Sequence, residues 1–142
     1  MNVSVPTPRD APPPAVVALP GQSAAMRISI LEDDPTLGEL AAELCRGLGV
    51  EAVVYGAPAE FLDAARIDPP RALILDWRLQ GQLGAAAFMA VRHRYPAMPV
   101  VCWTASPAWN LPQMIRQDPM SKVIDKAFGA DAFESAVRWA IG

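Results

Sequence analysis

The feature that most restricts the fold is a short apolar run that recurs along the chain and stops each time at a polar residue. Arg27-Ile-Ser-Ile-Leu31 runs into Glu32-Asp33-Asp34-Pro35, Ala72-Leu-Ile-Leu75 into Asp76, and Pro99-Val-Val-Cys-Trp103 into Thr104. Weaker versions span Val50 to Tyr55 and Lys122 to Asp125, the last leading into Lys126. Short Ile-, Leu- and Val-containing runs bounded by turn residues are buried strands rather than amphipathic helices. A single Asp at a strand end most often caps a turn. Asp76 draws notice because several polar residues share its position at the ends of other runs.

Helical patterns separate the strands. Asp34 is an N-cap with Pro35 at the first helical position. Leu37, Leu40, Ala41, Leu44, Cys45 and Leu48 then form one stripe at spacings of three and four, and Gly47 and Gly49 close the helix. Ala59 to Ala65 reads as a short helix with Phe61, Leu62 and Ala65 inward. Gly81 and Gly84 mark a loop, and Ala85 to Tyr95 is a helix ended by Pro96. Pro107, Pro112 and Pro119 keep any helix between residues 105 and 121 short or irregular. Asp131 and Glu134 form a capping box for a last helix that turns Phe133, Val137 and Ala140 inward.

Strands alternating with helices predict an α/β domain: a doubly wound, five-stranded parallel sheet with helices on both faces. Right-handed crossovers place every strand-to-helix loop at one edge. That edge gathers Glu32, Asp33, Asp76, Thr104 and Lys126, and in such sheets it is where ligands bind.

Composition narrows the function classes. The chain has 142 residues, 52% of them apolar, and a formal net charge of −3. That suffices for one domain with a core. Its scattered Lys and Arg offer no basic patch for nucleic acid or an anionic membrane. No run reaches the 18 or more apolar residues of a membrane span. Ala15 to Leu19 is too short for a secretory signal and follows Pro12, Pro13 and Pro14. Cys45 and Cys102 fall in apolar patterns and read as reduced core thiols, which suits the cytoplasm. Residues 1–25 hold six of the fifteen prolines and read as a flexible leader, leaving 26–142 as the folded domain.

Three carboxylates crowded at one edge repel each other unless a cation intervenes. An all-oxygen set with room for water suits Mg²⁺, and the backbone carbonyl of Arg78 stands close enough in sequence to add a ligand. Lys126 supplies a point charge for an anionic group, and the Thr104 hydroxyl a donor. Together these are the parts for phosphoryl transfer onto Asp76.

The sequence resembles the receiver domain of bacterial two-component response regulators, from about Met26 to the C-terminus. The acidic pair is Glu32-Asp33, and the phosphoacceptor position is Asp76, 43 residues beyond Asp33. Gly84 stands eight further on, Thr104 matches the switch hydroxyl 28 residues after Asp76, and Lys126 matches the lysine 22 after that. The resemblance implies a flavodoxin-like receiver fold that takes phosphate onto Asp76 from a histidine kinase or histidine phosphotransfer protein. It implies self-phosphorylation and self-dephosphorylation without turnover of a separate substrate. Phosphate would draw in Thr104 and Lys126 and shift the face carrying the fourth and fifth strands, so that output is a protein contact. Arg78 and Ser106 would line the path of attacking water. The chain ends at Gly142 straight after its last helix, so the expectation is a stand-alone receiver.

Departures from the pattern concentrate on the output face. Ala127 replaces the proline after the lysine, Val123 replaces the aromatic switch residue, and Gln80 replaces a frequent loop proline. Ala127 and Val123 favour the alternative of a phosphorylation-independent interaction module. A phosphohydrolase with an aspartyl nucleophile would need a second Asp where Arg78 stands, and a flavodoxin-like cofactor binder would need a phosphate loop in place of Glu32-Asp33-Asp34. Trp77 and Trp103 read as core aromatics. Trp109 is divided between core and partner anchor, and Trp139 reads as a half-buried surface ring, with a homodimer contact as its alternative. His93 reads as a solvated residue at a helix end.

Overall fold

A computed structural model describes residues 26–79, 82–105 and 111–142. The proposed leader, Gln80, Gly81, Ser106, Pro107 and Trp109 lie outside the described residues.

Along the chain run β1 (Arg27–Leu31), α1 (Pro35–Gly47), β2 (Glu51–Tyr55), α2 (Pro58–Ile67) and β3 (Ala72–Asp76). They are followed by β4 (Arg78–Leu79), β5 (Gln82–Leu83), α3 (Ala85–Arg94), β6 (Val100–Thr104), α4 (Gln113–Arg116), β7 (Ser121–Asp125), a 3-10 turn (Lys126–Phe128) and α5 (Gly129–Ile141). The main sheet has five parallel strands in the order β2-β1-β3-β6-β7. It is the predicted doubly wound architecture.

Burial on both faces explains why the central strands read as unbroken apolar runs. Alternation divides their side chains between two cores. Ile28, Ile30, Ile74, Val101 and Trp103 pack with α1 and α5, where Phe133, Ala136, Val137 and Ala140 are buried. Leu31, Leu73, Leu75, Val100 and Cys102 pack on the other side with Phe61 and Ala65 of α2, Phe88 and Val91 of α3, and Ile115 of α4. Trp77 joins this second core, and Leu62 and Val123 border it. Trp139 is half-buried, with Lys122 Nζ 5.4 Å from its ring centroid, and His93 is exposed in the last turn of α3. Both cysteines are free, and burial pushes their thiols up to about 11 for Cys45 and about 12 for Cys102, which keeps them protonated. Among the described residues no helix is long and apolar enough to cross a membrane.

Three expectations need correction. Leu40 does not face the core: it is 49% exposed, and the buried stripe of α1 is Gly38, Ala41, Ala42 and Cys45. The sheet lies too close for a larger side chain, since a Cβ on Gly38 would stand 2.8 Å from Cγ1 of Val54. The helix turns its small residues inward and its leucines to the flanks. Asp131 is not a cap. The turn into α5 begins earlier, where the Asp125 side chain accepts from the Ala127 amide at 2.8 Å, and Phe128 precedes the helix without a side-chain cap bond. The segment after β3 is also more than a loop, because β4 and β5 form an antiparallel pair.

Arg92 was not singled out in the sequence, yet it fastens the edge of the sheet remote from the acidic residues. Its guanidinium donates to Asp118 Oδ2 at 2.8 Å and to the carbonyls of Tyr95, Pro96, Met98 and Met120 at 2.7–3.2 Å. It thereby ties α3 to the loops that enter β6 and β7. Burial pushes the Asp118 carboxyl up, but the Met120 amide, the Ser121 hydroxyl and Arg92 more than offset this and hold it below the usual carboxylate range. A lysine has no planar fork with which to serve these acceptors. Arg92→Lys is therefore expected to cost about 2–3 kcal/mol, read as a lowered urea midpoint.

Candidate functional site

The site sits at the carboxyl ends of β1, β3 and β6. β1 delivers Glu32, whose amide donates to the Tyr55 carbonyl at 3.0 Å and so stays bound to the sheet beyond the strand end. Asp33 follows, exposed. Asp34 is committed elsewhere, because its carboxylate accepts from the amides of Thr36 at 2.9 Å and Leu37 at 3.3 Å and caps α1. Asp76 closes β3 and Thr104 closes β6, both buried. The parallel register sets Asp76 beside Trp103 and Thr104 beside Asp125, so Lys126 enters immediately past the edge.

One carboxylate oxygen from each of Glu32, Asp33 and Asp76 lies within 4.8 Å of the other two. Lys126 Nζ donates to Asp76 Oδ1 at 3.1 Å and to Glu32 Oε1 at 3.3 Å. Glu32 and Asp76 are only 3% and 5% exposed, so water does little to screen their repulsion. Glu32 records the result. Burial is the main cause that pushes its carboxyl from 4.5 to about 7, Asp76 adds to it, and the Asp34 amide and Lys126 oppose it.

Two backbone details hold this geometry. Gly84 lies against the end of β3: a Cβ there would stand 3.0 Å from the Asp76 carbonyl and 3.2 Å from that of Trp77. Its own amide donates to the Trp77 carbonyl. The Ala127 amide, absent from a proline, is used by Asp125 in the turn that carries Lys126.

The structure thus brings together Glu32, Asp33, Asp76 and Lys126, and puts Thr104 on the same edge. Arg78 begins β4, two residues past Asp76. Sequence reasoning placed Trp103 in the core, where it is, but missed that Lys126 Nζ lies 4.9 Å from its ring centroid. The available signal was that Trp103 and Lys126 lie within a residue of the ends of neighbouring strands.

A parallel sheet in flavodoxin-like strand order, with an acidic centre bridged by a lysine at its ligand edge, defines a class of α/β switch-point sites. The chain belongs to the response regulator receiver domain family, whose model matches residues 28–138. Among curated proteins it resembles the DNA-binding transcriptional regulator NtrC of Escherichia coli, 25% identical over 112 residues that make up 79% of this chain and 24% of NtrC. The chain spans a quarter or less of the length of the curated relatives it matches. A putative response regulator from Chloroflexus aurantiacus superimposes with a TM-score of 0.74 at 22% identity, over 83% of this chain and 98% of that one. The receiver domain of a sensor histidine kinase from Pseudomonas aeruginosa, solved with a magnesium ion coordinated in its active-site cleft, does so with 0.69 at 21% identity, over 84% and 99%. At these identities the two structures show a shared fold.

The raised carboxyl of Glu32 has a measurable sign. Between its ordinary 4.5 and about 7 the native state keeps a proton that the unfolded chain has released, so stability falls as pH rises through that window. In metal-free buffer, Glu32→Gln should remove a loss on the order of 2 kcal/mol between pH 5 and pH 8. Parallel urea titrations of the two proteins at those pH values check it.

Proposed function

We propose that the chain is a phosphoacceptor receiver in which Asp76 takes a phosphoryl group from the phosphohistidine of a histidine kinase or histidine phosphotransfer protein. The carrying observation is the convergence of Asp76, Glu32 and Lys126 within hydrogen-bond distance at one sheet edge, on the positions that match the family pattern. An Asp76 carboxylate oxygen attacks phosphorus in line, the phosphorus–nitrogen bond of the donor breaks, and its electron pair leaves on the imidazole. Lys126 neutralises charge on Asp76 before transfer and on the phosphoryl oxygens after it. The Thr104 hydroxyl is a donor for one of those oxygens. Water later attacks the acyl phosphate, the phosphoryl group leaves as inorganic phosphate, and Asp76 is regenerated, so no separate substrate turns over.

The donor set fits a divalent cation. Three carboxylates provide only oxygen, two of them are buried, and the raised Glu32 shows how burial, with Asp76 beside it, disfavours the charged carboxylate, which a cation would relieve. Glu32, Asp33, Asp76 and the Arg78 carbonyl would hold Mg²⁺, which supplies charge shielding for the phosphoryl oxygens when bound. Output then passes from β6 and β7 by contact with a downstream protein or a second copy of the chain. The free, buried thiols agree with a reducing, cytoplasmic setting.

Val123 and Ala127 favour a second reading, in which the fold serves as an interaction module without phosphate. Incubation with a small-molecule phosphodonor separates the two by intact mass. The receiver reading expects one added phosphoryl group that requires Mg²⁺ and is lost in Asp76→Asn. Absence of an adduct in folded, metal-binding protein sinks it in favour of the module. Because Glu32 must release its proton to bind the cation, Mg²⁺ affinity should also be roughly tenfold weaker at pH 6 than at pH 8, measured by titration calorimetry.

A further inference from the structure

Lys126 has a third partner besides its two carboxylates. Its Nζ lies 4.9 Å from the centroid of the Trp103 ring, and that ring packs edge-to-face on Phe133 of α5, with centroids 5.2 Å apart and planes at 63°. Trp103 is 6% exposed, so the ring presents a fixed surface. The pairing of β6 with β7 sets Trp103 beside Ile124, two residues before Lys126, so lysine and ring emerge from neighbouring strands at the same edge. A lysine stem has four rotatable bonds, and two acceptors on one side leave its head free to swing. An aromatic face beneath the ammonium removes that freedom while keeping the charge.

We propose that Trp103 is a positioning residue for Lys126, holding the ammonium at Asp76 and coupling its place to α5 through Phe133. The inference rests on the reading of Asp76 as phosphoacceptor for its consequence, not for its geometry. Phosphoryl oxygens on Asp76 draw the ammonium away from the ring, and the Trp103–Phe133 pair is then free to repack. The aromatic element of the switch, which Val123 cannot provide, sits one strand over in this chain.

Two measurements on the full chain test this. In the proton NMR spectrum the Lys126 ε-methylene resonances should lie upfield through the ring current. They should return toward ordinary lysine values in Trp103→Leu and keep part of the shift in Trp103→Phe, which retains a ring if the leucine variant does not fold. With a small-molecule phosphodonor and Mg²⁺, Trp103→Leu should slow phosphoryl uptake by roughly three- to tenfold. Trp103→Phe should recover much of that loss, and in a Lys126→Met background Trp103→Leu should add no further loss. Unshifted Lys126 resonances in the parent protein, or an equal slowing with and without Lys126, would overturn the proposal. If the parent protein accepts no phosphate at all, the phosphoacceptor reading fails while the NMR shift still decides the placement of Lys126.

Discussion

Lys126 bridges two carboxylates that water barely reaches, and the arrangement of the site depends on that bridge. Glu32 and Asp76 come from separate strands and would separate, or take up protons, without a cation between them. Burial, with the neighbouring Asp76 adding to it, still lifts Glu32 to about 7, because Lys126 and the Asp34 amide offset only part of the rise. A site in this condition gains from a divalent ion or from any group that spreads its charge. Such stored repulsion lowers stability where chemistry needs it, a common trade in functional sites.

The rest of the fold keeps the two edges of the sheet different. At the edge remote from the acids, Arg92 joins α3 to the entries of β6 and β7 through a carboxylate and four carbonyls. At the acidic edge the backbone approaches closely, with Gly84 against the carbonyls of Asp76 and Trp77. On the α1 face Gly38 lets the helix lie against Val54. A rigid sheet fastened at one edge lets a change at the other be felt by the helices rather than absorbed by the strands.

The departures from the family pattern look different once they are placed. Ala127 contributes an amide that a proline lacks, and Asp125 accepts from it in the turn that carries the lysine. Val123 borders the core shared with α2 and α3 and has no ring to move. Trp103 supplies an aromatic surface on the opposite side of the sheet, between Lys126 and Phe133. The acidic edge and its lysine are therefore both present, and the aromatic contact of that lysine lies toward α5.

The sequence by itself determined the five strands of the main sheet, their parallel sense and the gathering of Glu32, Asp33, Asp76, Thr104 and Lys126 at one edge. Those follow from local period, from caps such as Asp34-Pro35, and from the handedness of crossovers, none of which needs distant partners. The tertiary structure decided what depends on who lies opposite. Leu40 reads as core until Val54 is seen to leave room only for Gly38, and Asp131 reads as a cap until Asp125 is seen to have taken that part. Arg92 finds acceptors as far as 29 residues along the chain, and Trp103 meets Lys126 only through the register of β6 on β7. Helix rotation, turn entry and cross-strand contact are set by packing distances of a few ångströms, and a linear pattern of residue types does not encode those distances.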